Sequence, residues 1–157
     1  MGVNLLYQLS YIRNLTLSVA KDVTAEEADV IPEGFRNHIR WNLGHILTTQ
    51  DRLTFAVAGL PSHVPAGYGK WFGRESTPLT WEGDAPALDE LLSRLEAQPE
   101  QIRQALEGKL DTKLEKPFTL GTGLTLETIG DSLNYSLYHE GVHLSVIKAY
   151  IRLIRRK

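Results

Sequence analysis

The chain has 157 residues, of which 42% are hydrophobic and 23% charged, enough apolar material for a globular domain with a full core. Lysine and arginine number 17 against 19 for aspartate and glutamate, and the net charge of -2 argues against nucleic acid or an anionic membrane surface as a partner. The absence of cysteine excludes disulfides, zinc-thiolate sites and a cysteine nucleophile. The five histidines are therefore the first candidates for chemistry.

The first ten residues, MGVNLLYQLS, lack the basic start and the small-residue cleavage site of a secretory signal. The longest nearly apolar stretch, residues 53–60, is much shorter than the roughly 20 residues of a membrane-spanning helix. We therefore expect a cytoplasmic protein that has no membrane-spanning segment.

Apolar residues at steps of three and four predict a first helix over residues 3–23, with polar Thr16 as the one interruption of its apolar seam. Thr24 and Glu27 have the spacing of a capping box, in which each side chain satisfies a backbone amide at the start of a helix. A short helical turn is therefore expected before the chain breaks at residues 32–34, where proline and glycine occur together.

A second apolar seam predicts a long helix over residues 36–58, ended by Gly59 and Pro61. Residues 61–84 are rich in proline and glycine and predict a long irregular connection, which in a compact domain is usually functional or disordered. The aromatic residues of this connection indicate that it packs against the domain. They are Tyr68, Trp71, Phe72 and Trp81.

Leucines at helical spacing predict a third helix that extends to Leu106, with Asp84 as its N-cap. Pro99 should kink or split this helix, because an interior proline costs about 3 kcal/mol. Alternation around two glycines predicts a short β-hairpin over residues 117–125. A fourth helix is predicted from residue 126 to the end, where three basic residues suit the negative end of the helix dipole better than a nucleic-acid patch.

His139 and His143 lie four residues apart on the fourth helix, about 40° apart around its axis, so both imidazoles can reach one metal ion. With Glu140 they match the H-E-x-x-H pattern of zinc peptidases, in which the glutamate activates water. Glu140 is therefore a candidate catalytic base, with a solvated side chain as the alternative. The 14 residues after His143 include no His, Asp or Glu, and Val146 and Ala149 replace the Gly and His of the extended motif. These features argue against a conventional peptidase.

A third protein ligand must come from upstream, where His38, His45 and His63 are available. His63 lies beside prolines in the irregular connection. His38 and His45 share a face of the second helix but are about 10 Å apart along its axis, so both cannot bind one ion directly. Gly44 permits another segment to approach closely beside His45.

The order of these elements resembles the DinB/YfiT-like superfamily over essentially the whole chain. Three short segments carry the resemblance: WNLGH at residues 41–45, WFG at residues 71–73 and YHEGVH at residues 138–143. The resemblance implies an all-α four-helix bundle, usually dimeric, formed here by residues 1–157 as a single domain. It also implies a long connection between the second and third helices and a short hairpin before the fourth.

The resemblance further implies a metal triad of one histidine from the second helix and two from the fourth, which matches His45, His139 and His143. Imidazole ligands suit zinc, nickel, copper and iron alike, so the ligand set does not identify the ion. We expect zinc or nickel. Many relatives have Gly-Gln after the last ligand, whereas this chain has Leu144 and Ser145, so a pocket role for that glutamine does not transfer.

Members of the family include thiol-dependent transferases and isomerases, and others have been suggested to be hydrolases. Our leading hypothesis is a metal-dependent enzyme that activates a low-molecular-weight thiol for attack on a small-molecule electrophile. Because the chain has no cysteine, the thiol must be a co-substrate. The alternatives are a hydrolase that uses metal-bound water, with Glu140 as its base, and a non-catalytic bundle stabilised by metal.

Overall fold

The computed structural model describes residues 2–121 and 123–156, so Thr122 of the predicted hairpin and Lys157 of the basic C-terminus lie outside the described residues. It is mostly helical, with one two-stranded antiparallel sheet. The helices are α1 (Gly2–Ala20), α2 (Ala25–Ala28), α3 (Ile39–Asp51), α4 (Tyr68–Phe72), α5 (Leu88–Leu106) and α6 (Ile129–Ile154). The strands are β1 (Lys113–Thr119) and β2 (Thr125–Thr128).

The predicted helices of the first half are confirmed, with shorter bounds. The Thr24 hydroxyl accepts a hydrogen bond from the backbone N–H of Glu27, and the Glu27 carboxylate accepts from the backbone of Thr24, which is the predicted capping box. α3 begins three residues later than predicted, because the ring of His38 accepts a hydrogen bond from the backbone N–H of Trp41 and caps the helix there. After α3, the chain continues in a π-helical turn, Arg52–Ala56.

The third helix differs from its prediction at two positions. Its N-cap is Ala87 rather than Asp84. Pro99 does not split it, since α5 is helical on both sides of the proline. The proline cannot donate to the carbonyl of Leu95, four residues earlier, but Arg13 of α1 does so at 2.6 Å. A side chain from another helix thus satisfies the carbonyl that Pro99 leaves free.

The hairpin is longer than the predicted residues 117–125, because β1 begins at residue 113 and β2 extends to residue 128. Leu126, predicted to start the last helix, pairs instead with Phe118 across the sheet. α6 starts after Thr128, whose hydroxyl and the carboxylate of Asp131 form a second capping box. The strong cap, rather than the apolar seam, determines where this helix begins.

The four long helices pack in pairs: α1 contacts α5 and α6, and α3 contacts the same two helices. The buried apolar residues form two separate clusters, one around Phe72 of α4, Ile46 and Ile147 and one around Phe55 and Leu133 near the hairpin. The contact between α3 and α6 places the histidines of the two helices side by side. None of the helices in the described part of the chain is long and apolar enough to cross a membrane.

Candidate metal centre

Three histidines from two helices converge at one point. His45 lies on α3, and His139 and His143 lie one turn apart on α6. Each offers one ring nitrogen, and these nitrogens all lie within 4.8 Å of one another. The Nε2 atoms of His45 and His139 are 3.2 Å apart. Within residues 2–121 and 123–156, this is the one group of three or more potential metal-ligating side chains.

The motif WNLGH orients His45. Its Nδ1 lies 2.6 Å from the backbone carbonyl of Phe72, and because a carbonyl can only accept, Nδ1 carries the proton and Nε2 presents its lone pair to the cluster. The indole of Trp41 stacks on the imidazole, with ring centroids 4.6 Å apart. A Cβ on Gly44 would lie 2.2 Å from the ring of Phe72, so only glycine lets the connection approach this closely.

Asn42 orients His143 in the same way. Its Oδ1 lies 2.8 Å from Nδ1 of His143. The amide cannot be reversed, because Asn42 Nδ2 donates to the carbonyl of His38 at 2.9 Å. His143 therefore carries its proton on Nδ1 and presents Nε2 as a free base. Asn42 was not among the candidate residues predicted from the sequence; its position three residues before His45, on nearly the same helix face, is the signal that points to it.

Burial keeps the cluster neutral. It lowers the pKa of His139 to about 3, with a further decrease from the neighbouring His143 and His45, and it lowers the pKa of His143 to about 4. Burial also lowers the pKa of His45, and the positive charge of Arg52 adds to the effect. Neutral imidazoles are the form that binds metals. Two nitrogens that bind a tetrahedral zinc at 2.0–2.1 Å lie roughly 3.3 Å apart, close to the 3.2 Å between His45 and His139. The donor set therefore fits a divalent ion.

Of the upstream candidates, the structure brings only His45 to the pair on α6. His38 caps α3 and lies edge-on to Trp81, with ring centroids 5.1 Å apart. The ring of His63 lies against Phe55, 4.5 Å away between centroids. His38 and His63 therefore serve the packing of the connection rather than the cluster.

Glu140 points away from the cluster into the centre of the helices. It is fully buried, and its carboxylate accepts hydrogen bonds from Arg13 Nε at 2.8 Å and from the Thr16 hydroxyl at 2.8 Å. The alternative of a solvated side chain is wrong. The ion pair with Arg13 also occupies the carboxylate that the base role requires, so the geometry does not support that role. Thr16, which interrupts the predicted apolar seam of the first helix, thus has the Glu140 carboxylate as its hydrogen-bond partner.

A polar layer that the sequence did not predict separates the two apolar clusters. Arg13 donates to both Glu140 and Gln98, at 3.1 and 3.2 Å from Nη2, and to Gln50. Each of the four long helices thus contributes one long polar side chain. All four side chains are at most 1% exposed. Because buried polar groups need partners, this layer fixes how the helices are aligned along their axes.

A groove of about 1550 Å³ lies beside the histidines. Trp41 and Arg52 form part of its wall, whereas His38 does not. Side chains of the hairpin and of α6, such as Phe118 and Tyr138, form further parts of the wall. The histidine cluster is thus accessible to a small molecule.

The sequence model of the DinB superfamily matches residues 8–147. Among solved structures, the chain is similar to a conserved protein from Enterococcus faecalis, with 15% identity and a TM-score of 0.65. That likeness covers 98% of this chain and 96% of the other, and at this identity it shows the fold alone. A search of curated proteins found no match.

Proposed function

This chain belongs to the DinB superfamily, and on that basis we propose that it is an enzyme whose divalent metal ion is held by His45, His139 and His143. The observation that carries the proposal is the convergence of three neutral imidazoles at the edge of an open groove. Structural zinc sites have four protein ligands, whereas catalytic sites have three and leave a position for water or substrate. A three-histidine site beside a groove is of the second type.

Zinc or nickel is the ion we propose, and when bound it would make a thiol or a water in the open position acidic near neutral pH. The chain's own residues prepare the site. Phe72 and Asn42 hold the Nδ1 protons of His45 and His143, which directs both Nε2 atoms to one point. We propose that a low-molecular-weight thiol enters as co-substrate, and the chain has no cysteine of its own to supply the sulfur. The thiol loses its proton to solvent, its sulfur forms a bond to the electrophilic carbon of a small molecule, and the group displaced from that carbon leaves with its bonding electron pair.

Two features count against the alternatives. A hydrolase that uses Glu140 as its base would need that carboxylate at the cluster, but it is buried in an ion pair with Arg13. A metal that only stabilises the helices would need no groove of about 1550 Å³ beside it. We therefore propose transfer chemistry first and hydrolysis through a metal-bound water, without Glu140, second.

We further propose that residues 1–157 form a single four-helix-bundle domain that acts as a homodimer in the cytoplasm. Exposed aromatic residues on α1 support the homodimer, since Tyr7 and Tyr11 are 72% and 66% exposed. Analytical ultracentrifugation of the purified chain tests the dimer, and a monomer at micromolar concentration contradicts it.

Elemental analysis of protein purified without an affinity tag tests the metal site. About one ion per chain is expected, with loss of the ion in His45→Ala, His139→Ala and His143→Ala. The His63→Ala variant is the matched control and should keep its metal, because His63 lies outside the cluster. Retention of metal by all three cluster variants contradicts the assignment. Conjugation of a thiol to a reactive electrophile, measured beside ester and amide hydrolysis, then separates transferase from hydrolase.

A further inference from the structure

Two arginines in the groove have no anionic partner among the residues that the structure describes. Arg52 and Arg74 line it together with the three histidines, and both are exposed. Neither forms an ion pair with any aspartate or glutamate in the part of the chain that the structure describes. Five other arginines do form such pairs: Arg13, Arg40, Arg94, Arg103 and Arg155. Positive charge at the groove is therefore available to a ligand.

The two arginines approach the histidines from different walls. Arg52 lies seven residues after His45, which places it on nearly the same helix face and about 10 Å further along the axis. Arg52 and the three histidines line the same groove. Arg74 lies two residues after Phe72, whose carbonyl accepts from His45.

The acidic residues of the groove do not neutralise these cations. Asp131 uses its carboxylate to accept hydrogen bonds from the backbone N–H groups of Glu127 and Thr128, at 3.1 and 2.9 Å. Glu127 itself is exposed on β2 and forms no ion pair with either arginine. The walls of the groove also include apolar side chains such as Phe118 and Leu124.

We propose that this groove binds a small molecule with an apolar body and an anionic group, a carboxylate or a phosphate, that pairs with Arg52 and secondarily with Arg74. The inference rests on the proposed function, because it names the substrate class of the histidine site. A guanidinium presents a planar fork of donors that matches both kinds of anion. The reacting end of the substrate then lies at the histidines, about 10 Å along α3 from the residue that holds its charge.

Titration calorimetry with three matched probes tests the proposal: 3-phenylpropanoate, phenethyl phosphate and the neutral 3-phenylpropanamide. The anions should bind the metal-loaded protein, and Arg52→Gln should weaken their binding about tenfold or more, as expected for the loss of a charge-assisted hydrogen bond. The amide should be unaffected by the substitution. Arg52→Lys should keep part of the affinity, and Arg36→Gln, at an exposed arginine outside the groove, is the control. The anion that binds more tightly shows whether the anionic group of the substrate is a carboxylate or a phosphate.

Equal binding of the amide and the anions, unchanged anion binding in Arg52→Gln, or no anion binding at millimolar concentration overturns the proposal. Elemental analysis of the same samples shows whether the anion-site proposal or the proposed metal-dependent function has failed. Metal in the wild type together with Arg52-independent binding contradicts the substrate class alone. Absence of metal together with Arg52-dependent anion binding contradicts the metal enzyme and leaves the anion site intact.

Discussion

The Oδ1 atom of Asn42 lies 2.8 Å from Nδ1 of His143, and the two residues are 101 positions apart in the chain. Asn42 is 1% exposed, and its hydrogen bond to this ring joins it to the cluster. It therefore acts as a positioning residue, which selects the tautomer that leaves Nε2 free. Partners of this kind raise the affinity of metal sites without touching the ion.

Replacement of this partner should weaken metal binding and leave the fold intact. We expect Asn42→Leu to bind zinc about 10 to 100 times more weakly than the wild type, the usual effect of losing such a partner. Asn42→Asp keeps an acceptor at the same place and should retain most of the affinity. Competition with a coloured chelator measures both. Equal affinity in Asn42→Leu and the wild type would contradict the positioning role.

Close contact between Gly44 and Phe72 predicts a stability effect. A Cβ at Gly44 would meet the ring at 2.2 Å, and the ring cannot retreat without moving the carbonyl that holds His45. Gly44→Ala should therefore lower the free energy of unfolding by about 1–3 kcal/mol, as overpacking does. Urea unfolding measures the change. Metal affinity should fall in the same variant.

Gly141 supplies the matched control, because it lies between the two histidines of α6 and a Cβ there would meet nothing within 4 Å. Gly141→Ala should stabilise the protein by about 0.5–1 kcal/mol through helix propensity alone. Equal effects of the two substitutions would show that the approach of Phe72 to α3 does not require glycine at residue 44.

Removal of either partner of the Arg13–Glu140 pair should lower the free energy of unfolding much more than the loss of a surface ion pair does. Both side chains are 1% exposed, and removal of one leaves the other charge buried without a partner. We expect Arg13→Met to lower the free energy of unfolding by about 3–5 kcal/mol. This variant also leaves the Leu95 carbonyl, already deprived of a donor by Pro99, without a hydrogen bond. Urea unfolding again measures the effect.

The double variant Arg13→Met with Glu140→Leu is the control for the buried charge. It should regain part of the lost stability, since no unpaired charge remains. Glu140→Gln alone also tests the catalytic prediction. If the carboxylate serves only the ion pair, the folded Glu140→Gln protein keeps its metal and its turnover per folded molecule. A loss of turnover per folded molecule with unchanged metal content would instead restore the base role.

Local sequence pattern predicts most of the helices of this chain, because the apolar period and the capping residues lie within a few positions of one another. Thr24 and Glu27 are an example. The pattern fails where a contact between distant residues determines the structure. The continuity of α5 through Pro99 depends on Arg13, which donates to the carbonyl of Leu95, 82 positions away. Leu126 likewise fits a helical seam but pairs with Phe118. No periodicity indicates either contact.

The sequence likewise predicts some residues of the candidate site and not others. The spacing of His139 and His143 is visible in the sequence, and the family resemblance selects His45 from three upstream histidines. The sequence does not reveal the direction of Glu140, one residue from His139, because its direction depends on Arg13, 127 positions away. Arg13 is buried among the four helices, and an arginine is rarely buried completely.

Acid should destabilise the metal-free protein at a pH where its carboxylates are still charged. Burial holds the pKa of His139 at about 3 and that of His143 at about 4, and burial of His38 also lowers its pKa to about 4. In the unfolded chain, histidine titrates near 6.5. Below that pH the histidines of the unfolded state bind protons, whereas the buried histidines of the folded state stay neutral. The free energy of unfolding therefore falls as the pH decreases from about 6.5 towards 4.

Urea unfolding of the chelator-treated protein between pH 7.5 and 4.5 measures this slope. Above pH 7 all of these rings are neutral in both states, and the stability should be nearly constant. His143→Leu removes one of the histidines that bind a proton only in the unfolded state, so the free energy of unfolding should fall less steeply with acid. His63→Gln, at an exposed histidine, serves as control. Saturating zinc should steepen the decrease, because protons must then displace the ion from the same nitrogens. Stability that rises with acid over this range would show that the cluster is protonated in the folded state.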